Sequence, residues 1–169
     1  MANKENSMRE VRIEKIILSC GGVKDELEKS IKLLKKISKK TPVRKMTYKR
    51  IPTFGIRPKL EVGCMVTIRG DEAIALLKRL LAAVENNLRK KQIQENFFSF
   101  GIAEYIEIPG EEYDREIGMI GFSTTVVFSR KGRRVLIRRI KKSKISKKQH
   151  VSKQEIIKFM EENFNTKIK

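Results

Sequence analysis

LEVGCMVTIRGDEAIALLKRLLAAV, residues 60–84, changes its apolar period halfway along. In its first part Leu60, Val62, Cys64, Val66 and Ile68 alternate with Glu61, Gly63, Met65, Thr67 and Arg69. That two-residue period predicts a strand with one face in a core and the other open. Gly70-Asp71 then supplies a turn and a helix cap. Beyond it Ile74, Leu77, Leu81 and Val84 recur at helical spacing with Ala73, Leu76, Leu80 and Ala83 beside them, which predicts a central core helix.

Upstream, residues 11–19 (VRIEKIILS) are β-branched and apolar and run into Cys20-Gly21-Gly22, the pattern of a strand stopped by a glycine turn. Over residues 24–38, Leu27, Ile31, Leu34 and Ile37 recur at three- and four-residue spacing. Lys29, Lys32, Lys35 and Lys36, then Lys39 and Lys40, fill the other side. The spacing predicts an amphipathic helix whose ammonium-lined face is either solvated or turned to an anion. Thr41-Pro42-Val43 is expected to end it, because the residue before a proline disfavours the α region.

Downstream, residues 96–102 (NFFSFGI) begin a strand region, and its phenylalanines read as core and not as stacking platforms, since no Lys or Arg flanks them. Residues 105–108 are expected to continue that strand. Residues 109–114 (PGEEYD) form an acidic loop expected to point away from phosphate, and residues 119–128 (MIGFSTTVVF) a long strand. Residues 133–140 (RRVLIRRI) bracket an apolar centre with paired arginines, and 141–148 (KKSKISKK) is a low-complexity run expected to stay irregular until it meets a partner. Ser152-Lys153-Gln154-Glu155 is a capping box, and Ile156, Phe159, Met160 and Phe164 form the core face of a closing helix. The order of elements implies an α+β fold: a two-layer domain, an antiparallel β-sheet with helices packed on one face, and a basic extended segment before the C-terminal helix.

Charge is distributed as unevenly as hydrophobicity. The 169 residues carry 39 Lys or Arg against 20 Asp or Glu, a net charge of +19, and at 40% apolar residues they can build one core. Residues 29–60 and 117–154 each hold twelve basic residues and no acidic one, leaving 15 basic and 20 acidic residues elsewhere, a net of −5. Segregation of this kind is the footprint of a polyanion-binding face.

Catalysis and metal chemistry have little to work with. His150 is the one histidine and stands in a Lys-rich linker with no nucleophile or carboxylate placed to form a triad. The carboxylates Glu104, Glu107, Glu111, Glu112, Asp114 and Glu116 suit a solvated loop better than an acid–base pair. Gly21-Gly22 lacks a phosphate-cradling pattern, and Cys20 and Cys64 stand 44 residues apart without ligands at zinc spacing. No catalytic residue, no metal and no cofactor is therefore expected, and the cysteines are expected to be reduced, buried thiols. The first residues have no signal-peptide core and no run is long enough to span a bilayer, so a cytoplasmic or nuclear protein is expected. Neither a membrane surface nor DNA accounts for the basic blocks: the apolar faces are committed to a core, and no recognition helix or zinc finger is evident. Structured RNA fits best, being read by shape, phosphate and 2′-hydroxyl contacts over broad basic surfaces.

An ordered set of short strings then resembles one family. Met8-Arg9-Glu10 with Arg12-Ile13 and Lys15, Thr41-Pro42-Val43, Phe54-Gly55-Ile56-Arg57, Thr67 with Arg69-Gly70 and Ala73, Phe100-Gly101-Ile102, Tyr113-Asp114 with Ile117-Gly118, Val126-Val127, and His150 with Ser152-Lys153 run through nearly the whole chain. Together they resemble the universal large-subunit ribosomal protein called L-five in bacteria and L-eleven in eukaryotes, in its eukaryotic branch. The resemblance implies a structural role in the central protuberance as a single domain over residues 1–169, with a flexible N-terminus at 1–8, an extended loop at 51–59 and a basic segment at 133–150. It implies as partners 5S rRNA, large-subunit rRNA, the P-site tRNA, and neighbouring ribosomal proteins including a small-subunit protein at an intersubunit bridge. No membrane, DNA or homo-oligomer partner is implied. The location implied is the cytoplasmic ribosome, with nuclear and nucleolar passage during assembly in a eukaryote.

Carried over by position, residues 41–50 match the segment that meets ribosomal RNA and residues 51–59 the loop that reaches transfer RNA. The rRNA-binding candidates are Lys39, Lys40, Thr41, Arg44, Lys45, Lys49 and Arg50, with Arg133, Arg134, Arg138, Arg139, Lys141 and Lys142 in the second block. The tRNA-contacting candidates are Thr53, Phe54, Gly55, Ile56 and Arg57. The chain departs from the family where Met46-Thr47-Tyr48 replaces a usual Lys-Ala-Arg string, where Pro52 replaces an arginine and where Ser19 replaces an asparagine. Two readings of residues 133–148 stay open, an added RNA contact or a nuclear import signal. A competing reading of the whole chain is a protein-interaction module off the ribosome.

Overall fold

Strand β1 (Val11–Gly21) can pair along both of its edges, and the sheet is assembled on it. The computed structural model describes residues 6–169, so the first five residues of the segment 1–8 lie outside the described residues. After β1 come helix α1 (Asp25–Ser38), strands β2 (Val43–Met46) and β3 (Glu61–Ile68), helix α2 (Asp71–Ala83), and strands β4 (Asn87–Leu88), β5 (Ile93–Gln94), β6 (Phe97–Ile102) and β7 (Phe122–Arg130). The one-turn helix α3 (Arg134–Ile137), helix α4 (Lys153–Phe164) and strand β8 (Lys167–Ile168) complete the order. Six strands form one antiparallel sheet, β2-β3-β1-β7-β6-β5, while β4 and β8 make a separate parallel pair.

Register explains how one face becomes core. Ile16, Leu18 and Cys20 stand opposite Ile68, Val66 and Cys64 of β3, and Ile16 and Leu18 stand opposite Val126 and Thr124 of β7. Phe98 and Phe100 of β6 extend the same row beyond Val126 and Thr124. All of these are buried, and the helices lay their apolar sides on them. Helix α1 contributes Leu27, Leu33, Leu34 and Ile37, and α2 contributes Ala73, Leu76, Leu77, Leu80 and Leu81. Helix α4 adds Ile156 and Met160, and an aromatic chain from Phe98 through Phe128 and Phe159 to Phe164 ties it to the sheet. The two-layer α+β architecture expected from the element order is the one observed.

Several local expectations are corrected. Ile74, placed by periodicity on the apolar stripe, is 40% exposed, so the buried stripe is centred on Leu77. Asp71 lies inside the first turn of α2 and offers no side-chain cap, the cap position being Gly70. Helix α1 ends at Ser38, before Thr41-Pro42, because Lys39 turns left-handed and its N–H returns to the Lys35 carbonyl at 2.9 Å. Residues 105–107 make a 3-10 turn, not a continued strand, and its fully buried Tyr105 accepts the Asp114 N–H at 2.7 Å on its hydroxyl. The strand expected at 119–128 runs over Phe122–Arg130 instead. Gly121 just before it lies so near the end of β6 that a Cβ there would stand 2.5 Å from the Ala103 carbonyl oxygen.

Strand β2 was not legible in advance. Its four residues, VRKM, are all exposed and show no alternation; the ladder to β3 makes it a strand. The capping box at the start of α4 forms as read: Ser152 Oγ accepts from Glu155 N, and the Glu155 carboxylate accepts from Ser152 N.

Candidate nucleic-acid interface

The first basic group is built on the β2–β3 hairpin, which runs past the edge of the sheet. A bulge where Lys45 faces Gly63 and Met46 faces Glu61 re-aims the stalk. Thr47 and the far strand hold it closed, with Thr47 N donating to Leu60 O at 2.9 Å and Lys59 N to Thr47 O at 2.7 Å. At the tip Ile51 and Ile56 exchange both backbone hydrogen bonds, at 3.0 and 3.1 Å, around a 3-10 turn over Pro52–Phe54. The turn closes through Gly55 at φ 63°, a left-handed position that suits glycine. The loop at 51–59 is therefore a self-bonded tip and not an open extended chain. Thr53, Phe54, Gly55 and Arg57 are exposed on it, Phe54 at 76%, while Ile56 is half-buried.

On this hairpin and the segment that leads into it from α1, the rRNA candidates divide into paired and unpaired cations. Lys40 reaches Glu72 of α2 at 2.5 Å, and Arg44 reaches Glu61 at 2.8 Å. Both pairs shift a pKa in the sense that favours the charged forms: Lys40 lowers that of Glu72, and Glu61 raises that of Arg44, first by hydrogen bonding and then by charge. Lys39, Lys45, Lys49, Arg50 and Arg57 form no ion pair with any described residue. Thr41, also exposed, precedes the buried Pro42.

The second group, Arg133, Arg134, Arg138, Arg139, Lys141 and Lys142, lies at the other end of the strands. Arg133 pairs with Glu14 of β1, and Lys131 pairs with Glu10 at 3.1 Å, so this segment is pinned beside the start of β1. Arg134 opens α3, Arg138 Nε donates to the Lys141 carbonyl at 2.8 Å, and Arg139 and Lys142 are exposed. Residues 133–150 are thus not uniformly extended but hold α3 and a 3-10 turn over Lys147–Gln149. Register sets the distance between the groups. The hairpin leaves the sheet near Gly21 and the second group starts where Arg130 meets Val11, so most of β1 separates them, roughly 30 Å at about 3.3 Å per residue.

Between them lies a feature that the sequence reading missed. The sheet face opposite the core carries Ser19, Ser123, Met65 and Val43 in one row and Thr67, Ile17, Thr125 and Ser99 in the next. These side chains are half-buried or exposed, and no charge interrupts either row. Ser19 and Ser123 hydroxyls touch at 2.8 Å across the strands. The signal was present only as Ser123 and Thr125 two apart in β7 and as single residues elsewhere, Ser19 in β1, Thr67 in β3 and Ser99 in β6, and it acquires meaning only once register aligns them.

The acidic loop lies on the helical side. Glu116 accepts from Lys32 of α1 at 2.6 Å and raises its pKa, by hydrogen bond and charge. The Glu112 carbonyl accepts from Lys36, whose ammonium also stands 5.7 Å above the Tyr105 ring. Glu111 accepts from Arg79 of α2 at 2.8 Å. The lysine face of α1 is thereby partly neutralised from within, and the acidic loop lies against the helices. Cys20 and Cys64 face each other across β1 and β3, both free and buried, and burial together with Cys20 pushes the Cys64 thiol up to about 11. No cluster of metal-ligating side chains occurs among the described residues. His150 Nδ1 meets the Asn96 amide at 3.1 Å, and its ring is tied to no nucleophile.

Comparison with known proteins follows the same outline. The model of the C-terminus of the ribosomal L5 family matches residues 61–159. The chain is 40% identical over 167 residues to the large ribosomal subunit protein uL5 of Nanoarchaeum equitans, an alignment covering 97% of this chain and 99% of that one. It is 39% identical over 162 residues to the uL5 protein of Archaeoglobus fulgidus, covering 95% and 91% of the two chains. With that of Sulfolobus acidocaldarius it shares 38% over 171 residues, covering 99% and 96%.

Proposed function

The chain belongs to the uL5 family of large-subunit ribosomal proteins, a structural and non-enzymatic component of the ribosome, and from that premise we propose that it binds 5S rRNA and large-subunit rRNA in the central protuberance. Residues 1–169 act as one unit in this reading. Lys45, Lys49 and Arg50 of the hairpin, with Lys39 and Thr41 between α1 and β2, meet rRNA phosphates, and Lys40 and Arg44 join them when phosphate displaces Glu72 and Glu61. Arg133, Arg134, Arg138, Arg139, Lys141 and Lys142 make the second rRNA contact. The tip, with Thr53, Phe54, Gly55, Ile56 and Arg57, touches the P-site tRNA, and neighbouring proteins include one of the small subunit at an intersubunit bridge. The protein works in the cytoplasmic ribosome, reached through the nucleolus if the cell is eukaryotic.

The observation that carries this reading is the separation of charge: cations without ion pairs to described residues at both ends of β1, two uncharged, hydroxyl-bearing rows of the open sheet face between them, and Glu111 and Glu116 held against the helices. Each cation that reaches a phosphate releases counterions, so affinity falls linearly with log salt at a slope of about −0.7 to −0.9 per contact. Hydroxyls on the sheet suit ribose 2′-hydroxyls and base edges, which a wide RNA minor groove or an open loop presents. Binding of 5S rRNA measured across a salt series tests the reading, and a slope near zero would refute it. Sedimentation separates it from an interaction module off the ribosome, since the protein should travel with large subunits and polysomes.

A further inference from the structure

Tyr48 is 88% exposed, more than any other large apolar side chain of the described residues. It is not loose. The residue before it is bonded on both sides, Thr47 N to Leu60 O at 2.9 Å and Lys59 N to Thr47 O at 2.7 Å, and Thr47 Oγ1 donates to the Lys49 carbonyl at 3.1 Å. The backbone of the stalk is therefore set while the ring of Tyr48 stands in solvent, and its hydroxyl makes no hydrogen bond with a described residue. Lys45, Lys49 and Arg50, all without ion pairs to described residues, surround it in sequence.

We infer that Tyr48 is a stacking platform for one unpaired nucleobase of ribosomal RNA, held beside the phosphates that Lys45, Lys49 and Arg50 neutralise. The inference rests on the RNA-binding reading above and adds to it a contact that charge does not supply. Two classes of partner can cover an exposed aromatic ring, and the neighbouring charges choose between them. An apolar protein surface that buried Tyr48 would also strip water from the neighbouring cations without replacing it, which is strongly unfavourable. RNA covers the ring with a base and the cations with phosphates in the same approach. Bases inside an A-form duplex are closed to such a ring, so the nucleotide must lie in a loop, bulge or single strand. Because every base has a π-face, the contact requires an unstacked base and tolerates any of the four.

Stacking and ion pairing respond differently to salt, which makes the inference testable with the full-length chain. Its affinity for 5S rRNA and for protein-free large-subunit rRNA is measured separately over a salt series, for the wild type, Tyr48→Ala, Tyr48→Phe and Lys49→Ala. Tyr48→Ala should weaken binding to one of these RNAs by about 5- to 150-fold, the range for removing one stacked aromatic, with an unchanged salt slope. Tyr48→Phe should restore the wild-type value, whereas Lys49→Ala should make the slope shallower by about 0.7 to 0.9. In intact large subunits, ultraviolet irradiation should attach a nucleotide to the peptide that contains Tyr48. The inference is overturned if the wild type binds both RNAs with a steep slope and Tyr48→Ala binds them equally well, which leaves the RNA-binding reading intact. A cross-link from Tyr48 to another protein overturns it too. A wild-type slope near zero for both RNAs would instead remove the RNA-binding reading, and this inference with it.

Discussion

Replacing Leu77 with Ala while leaving Ile74 for comparison measures how α2 is seated. Both residues belong to the same helical stripe in the sequence, yet Leu77 is fully buried and Ile74 is 40% exposed. Leu77→Ala removes three carbons from a fully buried site in the core cluster that also holds Leu76, Leu80 and Leu81. At about 0.8 kcal/mol per buried methylene the transfer cost is about 2.4 kcal/mol, and the unfilled space adds about 24 cal/mol per Å³. The expected loss is about 2 to 5 kcal/mol. For a chain of this size each kcal/mol lowers the melting temperature by about 2 to 4 °C, so a fall of about 4 to 20 °C is expected. Ile74→Ala should cost less than about 1.5 kcal/mol, because much of its side chain already meets water and Ala is the better helix former. Thermal and urea unfolding followed by circular dichroism reads both values, with an unchanged urea slope indicating an intact native state. An unchanged melting temperature for Leu77→Ala, or equal losses at the two positions, would show that α2 is rotated from the described placement.

Three further outcomes follow from the same structure. Burial alone would raise the Glu155 carboxyl, but hydrogen bonds from Ser152 and the Arg130 guanidinium outweigh it and hold the pKa below its ordinary 4.5. A depressed folded-state pKa adds stability that is complete above the ordinary value and is lost as pH falls through the folded one. Stability should therefore decline from about pH 4.5 downward, and Glu155→Gln should flatten that decline; an identical acid limb in the variant refutes the pairing. Cys64, pushed up to about 11, should be thiolate in roughly one molecule in a thousand at pH 8 and should react with iodoacetamide only on unfolding, so rapid labelling of the native chain counts against its burial. Arg57→Ala should leave the fold and 5S rRNA affinity nearly unchanged while weakening P-site tRNA binding to the ribosome, since the exposed tip adds nothing to the core; an equal loss of 5S rRNA affinity reassigns the tip.

Element types were legible wherever a period was sustained and one-sided. Residues 60–84 announced β3 and α2, and the capping box at Ser152 announced α4, because these signals depend only on neighbours within a turn or a pleat. Short or charged elements escaped. Strand β2 has four exposed residues with no pattern, and β4 and β8 have two residues each, so only their partners make them strands. The same locality limits the reading of charge. Composition marked residues 29–60 and 117–154 as cationic, but it did not report that Glu72, Glu61 and Glu14 engage Lys40, Arg44 and Arg133.

By itself, then, the sequence determined the layered α+β plan, the segregation of charge and the family resemblance, all of which reside in local order along the chain. Only the tertiary structure decided that the two cationic groups stand at opposite ends of β1, with two uncharged rows of the open sheet face between them and Tyr48 in solvent on the stalk. Strand register and ion pairing join residues far apart in sequence. A one-residue change of register would turn Ser19, Thr67 and Thr125 into the core and leave no such face.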